Sequence, residues 1–219
     1  MVDSSPLHAT RESLLRTSGA LVDARLNVGT AGNVSVRCEG GLLITPSGRH
    51  PRELEAVDMV RLTLDGSVLG AGKPSSEWRF HCALYRVRPD AGAIVHMHSP
   101  YATTLSCQRR DLPAFHYSVA RFGGGDVRCA PYAVFGSVEL SEAVVVAMQD
   151  RSACLMANHG ATLIGRDLAT VLADAIEFEY LCELYWRTLQ GGQPVLLDTK
   201  QMREVELRFR NYCEPSSPT

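Results

Sequence analysis

The strongest constraint on the fold is a pair of short stretches joined by two glycines. Residues 33–37 alternate polar and apolar side chains with a period of two, and Leu42-Leu43-Ile44 follow Gly40-Gly41. A period of two is typical of a half-buried strand, and paired glycines supply the backbone conformations of a tight hairpin turn. The sequence therefore predicts an antiparallel hairpin near the start of the chain.

Further short strands are predicted between amphipathic helices. Apolar residues at helical spacing predict helices over residues 5–26, 78–87, 141–148 and 167–189. Short apolar or alternating runs predict strands over residues 60–64, 93–98, 153–157 and 162–164. Hairpins flanked by helices favour an α/β sandwich with a largely antiparallel sheet over an alternating βαβ fold.

Length and charge exclude several classes of protein. A chain of 219 residues matches one domain, so we expect a single domain over residues 1–219, with a flexible tail at 213–219. A net charge of -2 argues against nucleic-acid binding, because such proteins present a positive field to phosphates. The apolar runs fall far short of the ~20 residues that span a bilayer, so no membrane partner is expected.

Cysteine usage points to a reducing compartment. The seven cysteines form no CxxC pair, are odd in number and lie scattered along the chain. This pattern is typical of reduced thiols rather than of a disulfide framework. Because the N-terminus also lacks an apolar secretory segment, we expect a cytoplasmic protein.

Three histidines give the sharpest chemical signal. His96 and His98 flank Met97 on a predicted strand, and alternate residues of a strand point to the same face. Their imidazoles would therefore converge, and His159, beside Gly160 in a turn, offers a third. Catalytic zinc takes three protein ligands and an open position. The alternative is that these histidines are ordinary polar residues on a solvated sheet face.

A second group of polar residues precedes the predicted helix at 78–87. Ser75, Ser76 and Glu77 occupy its first turn, where free backbone N–H groups favour anions. Loops at 29–33 and 45–48 carry further glycines and hydroxyl groups that suit phosphate binding. The alternative is that the serines and Glu77 simply cap the helix.

Four segments of the chain together resemble one protein family. They are residues 29–37 (GTAGNVSVR), 75–81 (SSEWRFH), 115–117 (FHY) and 129–133 (CAPYA). Their sequences and order resemble those of the class II aldolase/adducin family, from about the first predicted helix to the last. The resemblance implies a three-layer α/β/α sandwich with a mainly antiparallel central sheet, in a homotetramer with active sites between subunits.

The same resemblance implies a metal site. Carried over residue by residue, it makes His96, His98 and His159 the ligands of one Zn²⁺ per subunit. Glu77 would be the fourth ligand at rest and the catalytic acid/base when substrate displaces it. Asn158, next to His159, departs from a close relative, which carries a histidine there.

The resemblance also implies a substrate site. Tyr117 would reach the site of a neighbouring subunit and donate a proton to the aldehyde oxygen, and Tyr212 would close the pocket. The residues implied to hold the substrate phosphate are Thr30, Asn33, Ser47, Gly48, Ser75 and Ser76.

The expected reaction is a metal-dependent aldol cleavage. The resemblance implies reversible cleavage of L-fuculose 1-phosphate, or a similar 1-phosphoketose, into dihydroxyacetone phosphate and L-lactaldehyde or another short aldehyde. Zinc would stabilise the negative charge as a Lewis acid, so no lysine imine is needed; the chain has only Lys73 and Lys200.

Other functions on the same scaffold stay open at this stage. The enzymatic alternatives are L-ribulose-5-phosphate 4-epimerase, sugar-acid phosphate decarboxylase and methylthioribulose-1-phosphate dehydratase. Glu77 argues against the epimerase, whose members carry an aspartate there. A non-catalytic adducin-like module is a further alternative, although the retained histidines argue against it.

Overall fold

The computed structural model describes residues 6–213 and the side chains of residues 6–209. The helices are α1 (Pro6–Asp23), α2 (Trp78–Val87), α3 (Pro100–Cys107), α4 (Val138–Ala147), α5 (Leu168–Gln190) and α6 (Thr199–Cys213). The strands are β1 (Asn33–Cys38), β2 (Gly41–Ile44), β3 (Val60–Leu62), β4 (Val68–Leu69), β5 (Ala93–Met97), β6 (Cys129–Ala130), β7 (Ala153–Met156) and β8 (Gly160–Gly165). Short 3₁₀ turns lie at Pro51–Glu53, Ala56–Asp58 and Tyr117–Phe122.

The eight strands form one sheet in the order β4-β3-β2-β1-β5-β8-β7-β6. Strands β6 and β7 pair in parallel, and the other neighbouring pairs are antiparallel, so the sheet is mixed although mainly antiparallel. Strand β5 lies between β1 and β8, where His96 stands opposite Asn33 on one side and Thr162 on the other. The predicted histidine strand is therefore central.

Helices cover both faces of this sheet. On one face, Val95 packs in a cluster with residues of α1, α3 and α5. On the other, Ile94 packs in a cluster with residues of α2 and α4. Successive residues of a strand point to opposite faces, so a strand covered on both sides is apolar throughout. The predicted three-layer α/β/α sandwich is confirmed.

The predicted hairpin is confirmed as β1 and β2, which pair around Gly40-Gly41. The predicted helix at 78–87 is confirmed with those limits. The predicted helix at 141–148 begins earlier, at Val138, because Ser137 caps it through a bond from the Leu140 N–H. Helix α6 runs one residue into the predicted tail, and residues 214–219 lie outside the described part. The single domain over residues 1–219 stays a prediction.

Two helices, α3 and α6, have no counterpart among the predictions. Helix α3 is short and contains three residues of weak helix propensity, Thr103, Thr104 and Ser106. Helix α6 is rich in charged residues, so its apolar periodicity is faint. Within the described residues, no helix is both long and apolar enough to cross a membrane.

Candidate active site

Four predicted residues converge on one point of the structure. One nitrogen from each of His96, His98 and His159 and one oxygen of Glu77 all lie within 4.8 Å of one another. His96 Nε2 lies 2.9 Å from His98 Nε2 and 3.1 Å from Glu77 Oε2. His159 Nε2 lies 3.3 Å from Glu77 Oε1. The convergence predicted from the spacing of the histidines is present in the fold.

Three different elements bring these side chains together: β5, the turn between β7 and β8, and α2, whose N-cap residue is Glu77. His96 lies on β5 and His98 directly after it, while Val95 and Met97 point into the opposite core cluster. His159 lies in the turn between β7 and β8. The glycine after it is required, because a Cβ on Gly160 would lie 2.3 Å from the Met97 carbonyl oxygen and 3.2 Å from the His98 ring.

A backbone contact fixes the tautomer of His96. Its Nδ1–H donates to the Ala161 carbonyl oxygen at 3.0 Å, on the neighbouring strand β8. A neutral imidazole that donates through one nitrogen presents a lone pair at the other. His96 Nε2 therefore faces the cluster as an acceptor or ligand atom, the arrangement that metal-binding histidines usually show.

Burial favours neutral imidazoles at His98 and His159, whereas the neighbouring imidazoles favour an ionised Glu77. Desolvation, aided by the neighbouring His96, lowers the pKa of His98 to about 3 and that of His159 to about 4. Burial alone would raise the pKa of Glu77, but the imidazoles, His96 foremost, outweigh it and the pKa falls below its ordinary value. Near pH 7, His98 and His159 thus offer neutral nitrogen ligands and Glu77 carries a negative charge.

This donor set fits a divalent metal ion. Three imidazoles and a carboxylate are ligands that zinc takes in catalytic sites. Glu77 Oε1 is buried and has no hydrogen-bond partner among the described residues, and an unpaired buried carboxylate oxygen is costly unless an ion or a proton satisfies it. The alternative of ordinary solvated histidines is wrong for His96, which is fully buried.

A cavity of about 350 Å³ opens over the cluster. It is lined by Glu77, His98 and His159 and by the whole predicted phosphate set, Thr30, Asn33, Ser47, Gly48, Ser75 and Ser76. Two of the loops lie side by side, since Ser47 N–H donates to the Lys73 carbonyl oxygen and Ser75 N–H donates to that of Thr45, each at 3.0 Å. The fold therefore brings the predicted metal and phosphate residues into one cavity.

The capping alternative for Glu77 is wrong. Glu77 is the N-cap residue of α2, but its carboxylate makes no capping hydrogen bond. Ser75 Oγ accepts a bond from the Glu77 N–H at 3.3 Å instead. The carboxylate points to the histidines, and the N-terminus of α2 opens beside the cavity with its favourable field for anions.

Tyr117 does not line this cavity. Tyr117 is 53% exposed and stacks on Phe209 with ring centroids 6.4 Å apart. It lines a second cavity of about 590 Å³ together with residues of α6, away from Glu77. Tyr212 is in α6, but its side chain lies outside the described residues. Within one chain, therefore, Tyr117 does not join the four-residue cluster.

Two residues that support the cluster were missed by the sequence analysis. Asn27 Oδ1 accepts the His98 N–H at 3.0 Å, and Gly32 makes room for it, since a Cβ there would lie 2.3 Å from the Asn27 side chain. Glu179 on α5 accepts bonds from Tyr101 N–H at 2.7 Å and Ser99 Oγ at 2.6 Å, which holds the chain just after His98. In the sequence, Glu179 could have been found as a carboxylate within the apolar stripe of α5.

The chain belongs to the class II aldolase and adducin family: the family model "Class II Aldolase and Adducin N-terminal domain" matches residues 12–186. The chain is 45% identical over 214 residues to the 5-methylthioribulose-1-phosphate/5-deoxyribulose-1-phosphate aldolase of Rhodospirillum rubrum, covering 96% of this chain and 97% of that one. It is 44% identical over 188 residues to the L-fuculose phosphate aldolase of Escherichia coli, with 85% and 87% covered.

Solved structures agree with the sequence relatives. An L-fuculose 1-phosphate aldolase matches with a TM-score of 0.90 and 37% identity, over 94% of this chain and 98% of that one. The resemblance inferred from four segments is thereby confirmed. The protein is an enzyme, a metal-dependent aldehyde-lyase of the class II aldolase type, and not a non-catalytic module.

Proposed function

We propose that the protein is a zinc-dependent aldolase that reversibly cleaves a 1-phosphoketose into dihydroxyacetone phosphate and a short aldehyde. The observation that carries this proposal is that one cavity holds both the histidine–glutamate cluster and the loops suited to phosphate. A substrate with a phosphate at one end and adjacent carbonyl and hydroxyl oxygens would engage both groups at once.

The phosphate is proposed to lie between the loops of Ser47 and Ser75 and the N-terminus of α2. These loops offer hydroxyl groups and backbone N–H groups, and Gly48 has a positive φ of 69° with open space around its Cα. Backbone N–H groups at a helix N-terminus and in a glycine loop stabilise anions. The phosphate would thus anchor the ketose above the cluster.

The zinc ion, held by His96, His98 and His159, would supply Lewis-acid stabilisation of the negative charge that develops on the dihydroxyacetone phosphate half. In the condensation direction Glu77 takes the C3 proton of dihydroxyacetone phosphate, and in cleavage it returns that proton. Of the described residues that line the cavity, none is a lysine. The cavity therefore favours metal chemistry over an imine mechanism.

Tyr117 is proposed to act in the site of a neighbouring subunit. Its exposed hydroxyl lies away from the cavity of its own chain, as a residue that serves a second subunit would. Homotetramer formation, with active sites between subunits, is part of this proposal. The closure of the pocket by Tyr212 and the cytoplasmic location stay predictions.

L-Fuculose 1-phosphate, or a similar 1-phosphoketose, is the proposed substrate. A second candidate class comprises 5-deoxyribulose 1-phosphate and 5-methylthioribulose 1-phosphate, the compounds for which the Rhodospirillum rubrum relative, matched over almost its full length, is named. Asn158 lies at the rim of the cavity, where Arg109 Nε donates to its Oδ1 at 2.7 Å. This pair lies beside His159 and is positioned to affect the choice of aldehyde.

The decisive experiment is a cleavage assay on a panel of ketose phosphates. Zinc-loaded protein is incubated with the three 1-phosphates named above and with L-ribulose 5-phosphate, and dihydroxyacetone phosphate is measured with a coupled dehydrogenase. Release from at least one 1-phosphate is expected. Epimerisation of L-ribulose 5-phosphate without any cleavage would contradict the proposal and favour the epimerase alternative.

Ser76→Ala is expected to raise KM with little change in kcat. The hydroxyl would contact phosphate in the ground state and in the transition state alike. Its loss therefore weakens the binding of both states to the same extent. Steady-state kinetics on the best substrate of the panel measure both constants. An unchanged KM would remove Ser76 from the phosphate site.

Tyr117→Phe is expected to lower cleavage by roughly 10- to 10³-fold while leaving proton exchange intact. The substitution keeps the ring and its stacking on Phe209, so it removes only the hydroxyl. Exchange of the C3 proton of dihydroxyacetone phosphate with solvent deuterium, followed by NMR, should continue near the parent rate. Equal losses of exchange and cleavage would argue that Tyr117 does not serve the aldehyde oxygen.

A further inference from the structure

A polar ladder connects Glu77 to the interior of the protein. Asn33 and Ser35 lie two residues apart on β1, and Glu77, His81 and Tyr85 lie four residues apart along one side of α2. Two residues of a strand rise about 6.7 Å and four residues of a helix about 6 Å. The two spacings nearly match, so the side chains from the two elements alternate.

Hydrogen bonds join every step of this ladder. Glu77 Oε2 lies 3.0 Å from Asn33 Nδ2, and Asn33 Oδ1 lies 2.5 Å from His81 Nε2. His81 Nδ1 lies 2.7 Å from Ser35 Oγ, which lies 3.0 Å from the Tyr85 hydroxyl. None of the five side chains belongs to a residue more than 6% exposed, so water has little access to any step.

The carboxylate fixes the direction of every bond. An ionised Glu77 only accepts, so Asn33 must present its Nδ2–H₂ to it and its Oδ1 to His81. His81 must then donate from Nε2–H, and its Nδ1 accepts from the Ser35 hydroxyl. Ser35 Oγ in turn accepts from the Tyr85 hydroxyl. The opposite direction would place Asn33 Oδ1 against a carboxylate, with two acceptors facing each other.

His81 is suited to hold this arrangement. Complete burial, with the neighbouring His96 acting in the same sense, lowers the pKa of His81 to about 3. Its ring also stacks on Phe80, with centroids 4.5 Å apart and planes at 24°. His81 is therefore neutral near pH 7, and its two hydrogen bonds and its stacking on Phe80 hold the ring in place.

Asn33 makes a side-chain hydrogen bond to the Glu77 carboxylate. While His96 and His159 face the Glu77 carboxylate with ring nitrogens at 3.1 and 3.3 Å, the hydrogen bond donated to it among the described residues comes from Asn33. It binds Oε2, and Oε1 has no hydrogen-bond partner. With Nδ2 on Oε2, Asn33 leaves Oε1 as the carboxylate oxygen available for a proton or a metal.

We propose that His81 is a positioning residue for Glu77: through Asn33 it holds the carboxylate with Oε2 occupied and Oε1 available. This inference rests on the proposed role of Glu77 as proton acceptor. His81 itself contacts neither the substrate nor the three metal-binding histidines. It acts by donating to Asn33 Oδ1, a second contact that holds the amide in the orientation that Glu77 requires.

The first test measures the His81 tautomer in the metal-free protein. With ¹⁵N-labelled histidine, the ring of His81 is expected to be neutral, with its proton on Nε2 and Nδ1 bare, and the His81→Gln variant assigns the signal by its loss. A proton on Nδ1, or on both nitrogens, would overturn the proposal. This measurement needs no substrate, so it still tests the ladder if the panel assay shows no aldolase activity.

The second test separates positioning from general stability. His81→Leu cannot donate to Asn33, and we expect kcat to fall about 10- to 100-fold with KM little changed, as for other residues that orient a ligand. His81→Gln can donate from its amide and should restore most of the loss. Cys82→Ala, at the next and equally buried position of α2, is the matched control and should leave kcat unchanged.

A double-variant comparison decides whether His81 acts through Glu77. In a Glu77→Gln background, His81→Leu should cause no further loss of kcat, because the group that it positions is already gone. Losses that multiply would assign His81 a structural role and overturn the proposal. If the His81→Leu chain does not fold, the tautomer measurement and the kcat of His81→Gln relative to the parent test the proposal instead.

Discussion

Replacing His96 and His98 together by alanine is expected to abolish metal binding and aldol cleavage at once. His159 and Glu77 would remain, and two ligands do not make the three-ligand site that catalytic zinc requires. Elemental analysis of the purified variant should show loss of the roughly one zinc per chain expected of the parent. Cleavage of the best 1-phosphate should fall to background.

Two controls make this result specific. His8→Ala removes a histidine on α1, outside the cluster, and should keep both metal and activity. Treating the parent protein with a strong chelator should remove activity. Adding Zn²⁺ should restore it, because the folded chain holds the ligand residues together. Full cleavage activity in the double variant would refute the proposed metal site.

The part of the site built on one strand could be predicted from the sequence. His96 and His98 share a face because of a two-residue period that any strand imposes, and the structure places them so. His159 was harder, because the turn that carries it is brought to β5 by the pairing of β8 with β5. Its glycine neighbour was a useful signal, since Gly160 is required by close contact with Met97.

The polar ladder could not be predicted in the same way. Glu77, His81 and Tyr85 recur every four residues, a polar stripe on a helix that a sheet covers. That spacing alone does not say which strand lies opposite, and the alternation with Asn33 and Ser35 depends on how α2 is placed along β1. Placement of a helix on a sheet is a tertiary property, and no local pattern encodes it.

Asn33 shows that a residue can line a cavity while its side chain bonds to other protein groups. The family resemblance implies that Asn33 holds phosphate, and Asn33 does line the cavity. Its side-chain amide, however, bonds to Glu77 and His81, so its side chain is engaged within the protein. A role of Asn33 in phosphate binding stays a prediction, and the second N–H of its side-chain amide is the donor left for that contact.

Glu77→Gln is expected to lower kcat by about 100-fold or more with the metal retained. General acid–base groups contribute roughly 10²- to 10⁴-fold, and glutamine has nearly the same size but cannot take a proton. Its amide oxygen can still accept the Asn33 N–H, so the ladder is kept. The three histidines remain as ligands, and elemental analysis should show an unchanged zinc content.

The kinetic signature of Glu77→Gln differs from that of the phosphate and aldehyde groups. Because Glu77 would move the C3 proton, deuterium exchange into dihydroxyacetone phosphate should fall together with cleavage, whereas Tyr117→Phe should lose cleavage alone. KM should change little, in contrast to Ser76→Ala. If proton exchange in Glu77→Gln continues at the parent rate, another group is the base.

Mixing the two defective chains tests whether the site is shared between subunits. When Glu77→Gln and Tyr117→Phe chains are coexpressed with different tags and the mixed oligomer is isolated, some sites would combine an intact Glu77 from one chain with an intact Tyr117 from another. Those sites should cleave the ketose phosphate, so the mixed oligomer should regain activity that neither parent variant has. If the mixed oligomer is no more active than the average of its two parents, Tyr117 does not complete a neighbour's site, and the exposed position of its hydroxyl must have another cause.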